Sequence, residues 1–330
     1  MKKKDFVNLI LLLLVIAWGV YRSQYRMRPF SETSFLMDTI VTIKLETADR
    51  EGEKYLDEAF DLIANLEDRL SCYKEGSEIY NFNEGIISEL PLDDDLKRII
   101  DVSGEIYQES DSLYDISIGR ISELWDFNSE HVPDDDSIAT ALNFVGFDKL
   151  KIENNVLQKP SGFKLNLGSL AKGYIIDQTV EMLQTKGIKT GYVNAGGDIR
   201  IWGQKKPLRI GIQHPREEES KVIATVLIDH NSIVTSGDYE RYFFKDGVRY
   251  HHILNPQTGY PSRECISVTV IAPEALLADA YSTALFLMPV DQALRLVNEH
   301  ENLEAAILTE KDGEIEMFES DGFADYKNKD

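Results

Sequence analysis

Apolar and polar residues alternate along "FLMDTIVTIKLE" (residues 35–46), the pattern of a strand with one buried face. The period then changes. Tyr55, Ala59, Leu62, Ile63, Leu66 and Leu70 recur at the spacing of an amphipathic helix. Leu96, Ile99, Ile100 and Ile106 predict a second helix over 93–108. "VPDDDSIATALNFVG" predicts a third, with acidic residues in its first turn, where they complement the helix dipole, and Gly146 past its end. From Phe163 the texture shifts again: "FKLNLG" reads as a strand running into the helix "SLAKGYIIDQTVEMLQTKG", closed by Gly187. Short strands follow in "GYVNAGGDIRIWG", "LRIGIQ", "VIATVLID", "SIVTSG", "VRYHHIL" and "CISVTVIA". Helices over 273–288 and 291–299 and a strand near 305–309 complete the chain. Helices first and then a meander of strands predict an α+β fold, antiparallel sheets flanked by helices.

The N-terminus follows neither period. Lys2, Lys3 and Lys4 precede an apolar run from Phe6 to Tyr21 broken only by Asn8. As a helix that run spans roughly 24 Å, short of the ~30 Å hydrocarbon core, so its length fits a signal peptide as well as an anchor. No small-x-small cleavage site or lipobox cysteine follows it. The expectation is therefore an uncleaved anchor or signal sequence over 1–21, a polar tether over 22–34, and one domain over 35–330 outside the cytoplasm.

Charge narrows the partners. With 57 acidic and 35 basic side chains the formal net charge is −22, which excludes nucleic acid, since a phosphate backbone requires a basic footprint. An anionic ligand would need a local counter-charge or a cation. The two cysteines, Cys72 and Cys265, rule out a disulfide framework and a thiolate metal cluster.

Four stretches carry candidate chemistry. In "RYHHILNPQTGYP" strand alternation places His252 with Val248, Tyr250 and Leu254 on the inward face and His251 with Arg249 on the other. His252 is then either a hydrogen-bonded core histidine or an acid/base group. "LLADAYSTALFL" sets Asp279 and Thr283 four apart on one helical face beside Ser282; these are hard oxygen ligands suited to Mg²⁺, or ordinary helix-solvating groups. "LNLGSLAKGY" brings Gly168 and Lys172 to a helix N-terminus, where free N–H groups favour phosphate, but with neither nucleotide-binding glycine spacing. "VNAGGDIRIWG" and "VTSGDY" read as glycine-bearing turns between strands.

These segments in this order resemble the FAD:protein FMN transferases, the ApbE family, over roughly Met37 to Phe323. The matching blocks are "MDT", "LSCYKEGSEIYNFN", "YDISIGRISELWDF", "LNLGSLAKGYIIDQ", "VNAGGDIRIWG", "TSGDYERYF", "HHILNPQTGYP" and "VTVIAPEALLADAYSTALF". The resemblance implies an ApbE-like, T-fold-related domain and a Mg²⁺-dependent enzyme of the membrane exterior. Such an enzyme moves FMN from FAD to a Ser or Thr hydroxyl of an exported or membrane-linked acceptor protein and releases AMP. Carried over by position, it implies FAD contacts at Met37, Tyr73, Leu113, Tyr114, Asp115, Asn166, Lys172 and Leu254. It implies metal ligation by Asp279 and Thr283, with Ser169 through its backbone carbonyl and Ser282 nearby, and a catalytic His252. Three positions depart from the family pattern: Asp38 stands where glycine is frequent, and Asn166 and Asn255 stand where aspartate is frequent. Two alternatives fit the same residues. One is a Mg²⁺-dependent FAD pyrophosphatase with water as acceptor; the other is a non-catalytic extracytoplasmic flavin-binding protein, against which the metal-type pair speaks.

Overall fold

Eight antiparallel strands build the central sheet, in the spatial order Arg28–Leu36, Thr39–Thr47, Thr190–Ala195, Asp198–Trp202, Ser232–Gly237, Ser267–Ala272, Glu304–Lys311 and Glu314–Glu319. The computed structural model describes Lys4, Asn8, residues 11–16, Trp18, residues 26–218 and residues 221–327. The predicted anchor lies largely outside these residues, among which no helix is long and apolar enough to cross a membrane.

Side-chain alternation gives the sheet two buried faces. Val234, Val268, Val270, Ala272, Ala305 and Ile307 point into the main core, beneath the helices Gly52–Leu70, Asp94–Glu109, Ala171–Thr185 and Ala275–Leu287. Their strand neighbours Ile233, Ile271 and Ala306 point the other way, to a second core closed by Ile212, Val226 and Ile228 of the ribbon Leu208–Gln213/Val222–Ile228 and by Phe323. Ser267–Ala272 is buried at all six positions, which explains why its sequence is nearly unbroken in apolar and small residues. A third, smaller cluster joins Ile121, Trp125, Ile138, Phe243 and Leu254.

Most predicted elements are present, with four corrections. The single strand expected over 35–46 is a hairpin: Arg28–Leu36 pairs with Thr39–Thr47, and Met37 and Asp38 form the turn at φ 53° and 56°. Much of the predicted tether is thus edge strand. A two-residue turn with positive φ matches strand twist, and it preserves the alternation on both sides, so the pattern conceals it. "FKLNLG" is extended but pairs through one bridge, Ile118 with Lys164. At Leu165 its backbone is satisfied by Asn83, whose side chain accepts from Leu165 N–H (2.7 Å) and donates to Leu165 O (2.8 Å), while Lys164 O accepts from Gly119 N–H and Asn166 N–H donates to Ile116 O. The strand expected through "VRYHHIL" stops at His251. Finally, Glu314–Glu319 is a strand whose charged residues disguise its period.

Candidate active site

Two helices that lack capping side chains of their own meet at their N-termini. Ala171–Thr185 starts after Leu170 and Ala275–Leu287 after Glu274, and neither residue caps its helix by a side chain. Each helix takes its cap from the other. Asp279 Oδ2 accepts the Gly173 N–H at 2.9 Å, while Asp177 accepts the N–H groups of Ala275 (2.9 Å) and Leu276 (2.8 Å). Because 173 faces 279 and 177 faces 275, the two N-terminal halves lie side by side in opposite directions. Gly173 makes the approach feasible: a Cβ there would sit 2.3 Å from the Ala275 carbonyl oxygen and 2.8 Å from Asp279 Cβ. Arg200 Nη1 reaches Asp177 Oδ1 at 2.7 Å. Burial pushes Asp177 up to about 6, with Arg200 and the two amides opposing.

This crossing concentrates charge. Lys172, one residue before Gly173, forms an ion pair with buried Asp198 at the head of Asp198–Trp202. Burial opposes the Lys172 charge, but Asp198 and then Asp279 outweigh it and raise its pKa. Burial pushes Asp279 up to about 7 against the pull of Lys172, and Asp198 adds repulsion. Asp198 itself is raised by burial, with Lys172 opposing. Beside Asp279 lies a hydroxyl cluster. Ser236 Oγ is 2.7 Å from Ser282 Oγ and 3.3 Å from Thr283 Oγ1. Ser282 donates its proton to the Asp279 carbonyl (2.8 Å), so Ser236 donates to Ser282.

The donor chemistry fits a hard cation. Among the described residues no three His, Cys, Asp or Glu side chains group to hold a metal. A cation here would be held by the Asp279 carboxylate, Thr283 and its neighbouring hydroxyls and the Ser169 carbonyl, with water or phosphate oxygens completing the shell. That oxygen-only set suits Mg²⁺ and not zinc.

The histidines are placed the opposite way from the alternation argument. His251 is buried, 1% exposed, with Nε2 2.8 Å from the Ser262 carbonyl and Nδ1 accepting the Ile253 N–H at 3.3 Å. His252 is exposed and held by its backbone N–H on the Arg241 carbonyl (3.1 Å). His251 keeps the Arg249 side of the strand, where both line one cavity, but that side is buried at this position; His252 lies past the strand's end, where alternation no longer orients it. Solvent reaches the His252 ring, yet the surrounding protein desolvates it and pushes its pKa down to about 3, with His251, Arg241 and Lys172 adding to the effect.

The expected flavin contacts divide into two groups. Tyr73 is 69% exposed, and its hydroxyl accepts from Asn166 Nδ2 at 3.5 Å; Asn166 also donates to Ser122 Oγ at 3.0 Å. With half-buried Met37 and Lys172, these residues are accessible to a ligand. The others are committed to the fold. Asp115 accepts the N–H groups of Ser117 (2.7 Å) and Phe147 (3.0 Å), and Leu113 packs against the main core. Tyr114 is buried, its hydroxyl accepting from Ser169 Oγ at 2.9 Å, and Leu254 sits in the third cluster. Asn255 does keep the turn, its Oδ1 accepting the N–H groups of Gln257 and Thr258. Sequence reasoning missed Asp177, Asp198 and Ser236. Asp198 directly follows the glycine pair already singled out, and Asp177 is an acidic residue on an otherwise apolar helix face; both were readable signals. A separate cavity of about 540 Å³, lined by Arg216, Arg249, Arg263 and His251 among others, contains none of the expected site residues.

A family model described as the ApbE family matches residues 37–307. The FAD:protein FMN transferase of Klebsiella pneumoniae (strain 342) is 30% identical over 290 residues, covering 86% of this chain and 90% of the relative. The Escherichia coli (strain K12) protein of the same name is 31% identical over 271 residues, 78% of this chain and 77% of the relative. Among solved structures, the ApbE protein of Thermotoga maritima superposes with a TM-score of 0.83 at 30% identity, covering 92% of this chain and 100% of that one. The flavin transferase ApbE of Vibrio cholerae gives a TM-score of 0.82 at 25% identity, over 91% and 99% of the two chains. The mixed architecture of helices and antiparallel sheet is shared with both.

Proposed function

We propose, from the premise that the chain belongs to the ApbE family and is an FAD:protein FMN transferase like its curated relatives, that the helix crossing at Gly173 and Asp279 is where the transfer occurs. The observation that carries this reading is the gathering of one helix N-terminus, Lys172, Asp198, Asp279 and three hydroxyls at one place. A helix N-terminus and a lysine suit a pyrophosphate, and an exposed Tyr73 beside Asn166 offers a flat face to a flavin or adenine ring.

In the proposed reaction the hydroxyl oxygen of an acceptor Ser or Thr attacks the FMN-side phosphorus of FAD. A new P–O bond forms, the bond to the AMP-side bridging oxygen breaks, and AMP leaves. Lys172 binds the phosphates and offsets charge on the leaving oxygen. Mg²⁺, held by Asp279, Thr283 and the Ser169 carbonyl with Ser282 nearby, would supply further neutralisation of the phosphoryl oxygens when bound. His252 takes the hydroxyl proton. Burial is the main cause of its low pKa; a pyrophosphate beside Arg241 and Lys172 would offset their smaller part and raise its basicity. The acceptor is placed outside the cytoplasm, at the membrane, on the strength of the apolar segment at residues 6–21 behind three lysines.

The test is mass spectrometry of an exported acceptor domain after incubation with the protein, FAD and Mg²⁺. A mass increase of one FMN on Ser or Thr is expected, abolished by Asp279→Ala. Free FMN with unmodified acceptor would show hydrolysis instead, and an active Asp279→Ala would remove the metal assignment.

A further inference from the structure

We propose that Asp177, which touches neither FAD nor metal in the reading above, is a positioning residue that sets the register of the Asp279–Thr283 face against Lys172. The inference rests on the metal reading of Asp279 and Thr283. A helix needs only one Ser, Thr or Asp at its own N-cap to satisfy its first amides. Here that local device is missing at both helix starts, and the amides are satisfied from across the interface. A cap that comes from the neighbouring helix is also a distance constraint. Three hydrogen bonds of 2.8–2.9 Å therefore join the first two turns of one helix to those of the other, around the close approach at Gly173.

The sheet adds the third side. Arg200, which holds Asp177, lies two residues from Asp198, which holds Lys172, so both emerge on the same face of the strand Asp198–Trp202. The lysine helix is thus pinned to the strand by two ion pairs, at Lys172 and Asp177. Through the Ala275 and Leu276 amides, Asp177 extends the same anchorage to the helix bearing Asp279 and Thr283. Sliding that helix requires breaking the Asp177 contacts. The neighbouring hydroxyls cannot substitute, since Ser282 and Ser236 are engaged with the Asp279 carbonyl and with each other.

Asp177→Asn keeps one carbonyl oxygen for an amide but weakens the pull on Arg200 and loses an acceptor. Arg200→Gln keeps both amide bonds and removes only the link to the strand. Mn²⁺ titrated into the full-length protein, with free Mn²⁺ followed by electron paramagnetic resonance, reads metal affinity independently of turnover. Loss of a residue that orients metal ligands is expected to weaken affinity on the order of 10–100-fold in Asp177→Asn, with Arg200→Gln intermediate. Asp279→Asn is the control and should lose binding. If Asp279→Asn loses Mn²⁺ while Asp177→Asn, melting lower, binds it as wild type does, Asp177 is structural only and the inference falls alone. Should wild-type protein bind no Mn²⁺, the metal reading and this inference fall together. If Asp177→Asn does not fold, Arg200→Gln decides the matter by the same comparison.

Discussion

Lowering the pH from 7 to 5 should destabilise this protein through its two histidines of lowered pKa, of which His251 has both ring nitrogens partnered. Its Nε2 faces a carbonyl and its Nδ1 faces an amide N–H, so the neutral Nε2–H tautomer alone satisfies both. Protonation would set N–H against N–H in a site only 1% exposed. Burial accordingly pushes its pKa from 6.5 down to about 4, with the Ser262 carbonyl opposing. The unfolded chain takes up this proton near 6.5 and the folded protein only near 4, so the stability is present above 6.5 and is lost as pH falls through that window. Linkage over those two values gives a loss of about 2 kcal/mol between pH 7 and pH 5. Asp177 acts in the opposite sense: raised to about 6, it binds a proton in the folded state first, so stability declines as pH rises from the ordinary carboxylate range through 6. The total pH curve therefore mixes signs, and the measurement must be a difference. Urea unfolding of wild type and His251→Asn at both pH values should show wild type ahead at pH 7, with the gap shrinking by about 2 kcal/mol at pH 5. A gap that is the same at both pH values would refute the assigned tautomer and its buried state.

Two further substitutions follow from the site. Gly173→Ala drives a methyl into backbone at Ala275 and should cost about 1–3 kcal/mol by thermal unfolding. It should also separate the two helix starts, so that flavin transfer, followed by acceptor mass, falls even at temperatures where the variant is fully folded. Asn166→Asp should fold with a stability change of about 1 kcal/mol or less, because the Ser122 and Tyr73 hydroxyls can turn their protons toward the new carboxylate and the Gly168 amide keeps its acceptor. The added charge should raise the KM for FAD; an unchanged KM would place Asn166 away from the phosphates.

What the sequence disclosed depended on how local the deciding interaction was. The helices over 52–70 and 94–109 were legible because a stripe of apolar residues faces one core and nothing else competes. The hairpin at Met37 was not, because its turn carries neither Asn-Gly nor Asp-Gly and the alternation continues through it. The histidine pair failed for a related reason. Alternation is a property of a strand, and Val248–His251 ends one residue too early for it to orient His252. Within the site, Asp279, Thr283 and Lys172 were legible as residue types at a useful spacing. Their mutual placement was not, since it is set by a carboxylate from one helix capping another about a hundred positions away.

That reciprocal arrangement also bears on how a chain of net charge −22 accommodates a dinucleotide. Lys172 is not a free counter-charge: Asp198 is its direct partner and Asp279 lies within its field, so these three groups are formally one negative charge in excess. Asp177 and Arg200 cancel one another beside them. A pyrophosphate would add two negative charges, against which Arg241 beside His252 is one further positive charge. The two helix N-termini point in opposite directions, so only that of Ala171–Thr185, roughly half a positive charge, faces Lys172 and Asp279, and Asp279 already occupies one of its amides. Under the proposed reading a cation from solution would restore the balance, held by the oxygen donors of Asp279, Thr283 and Ser169.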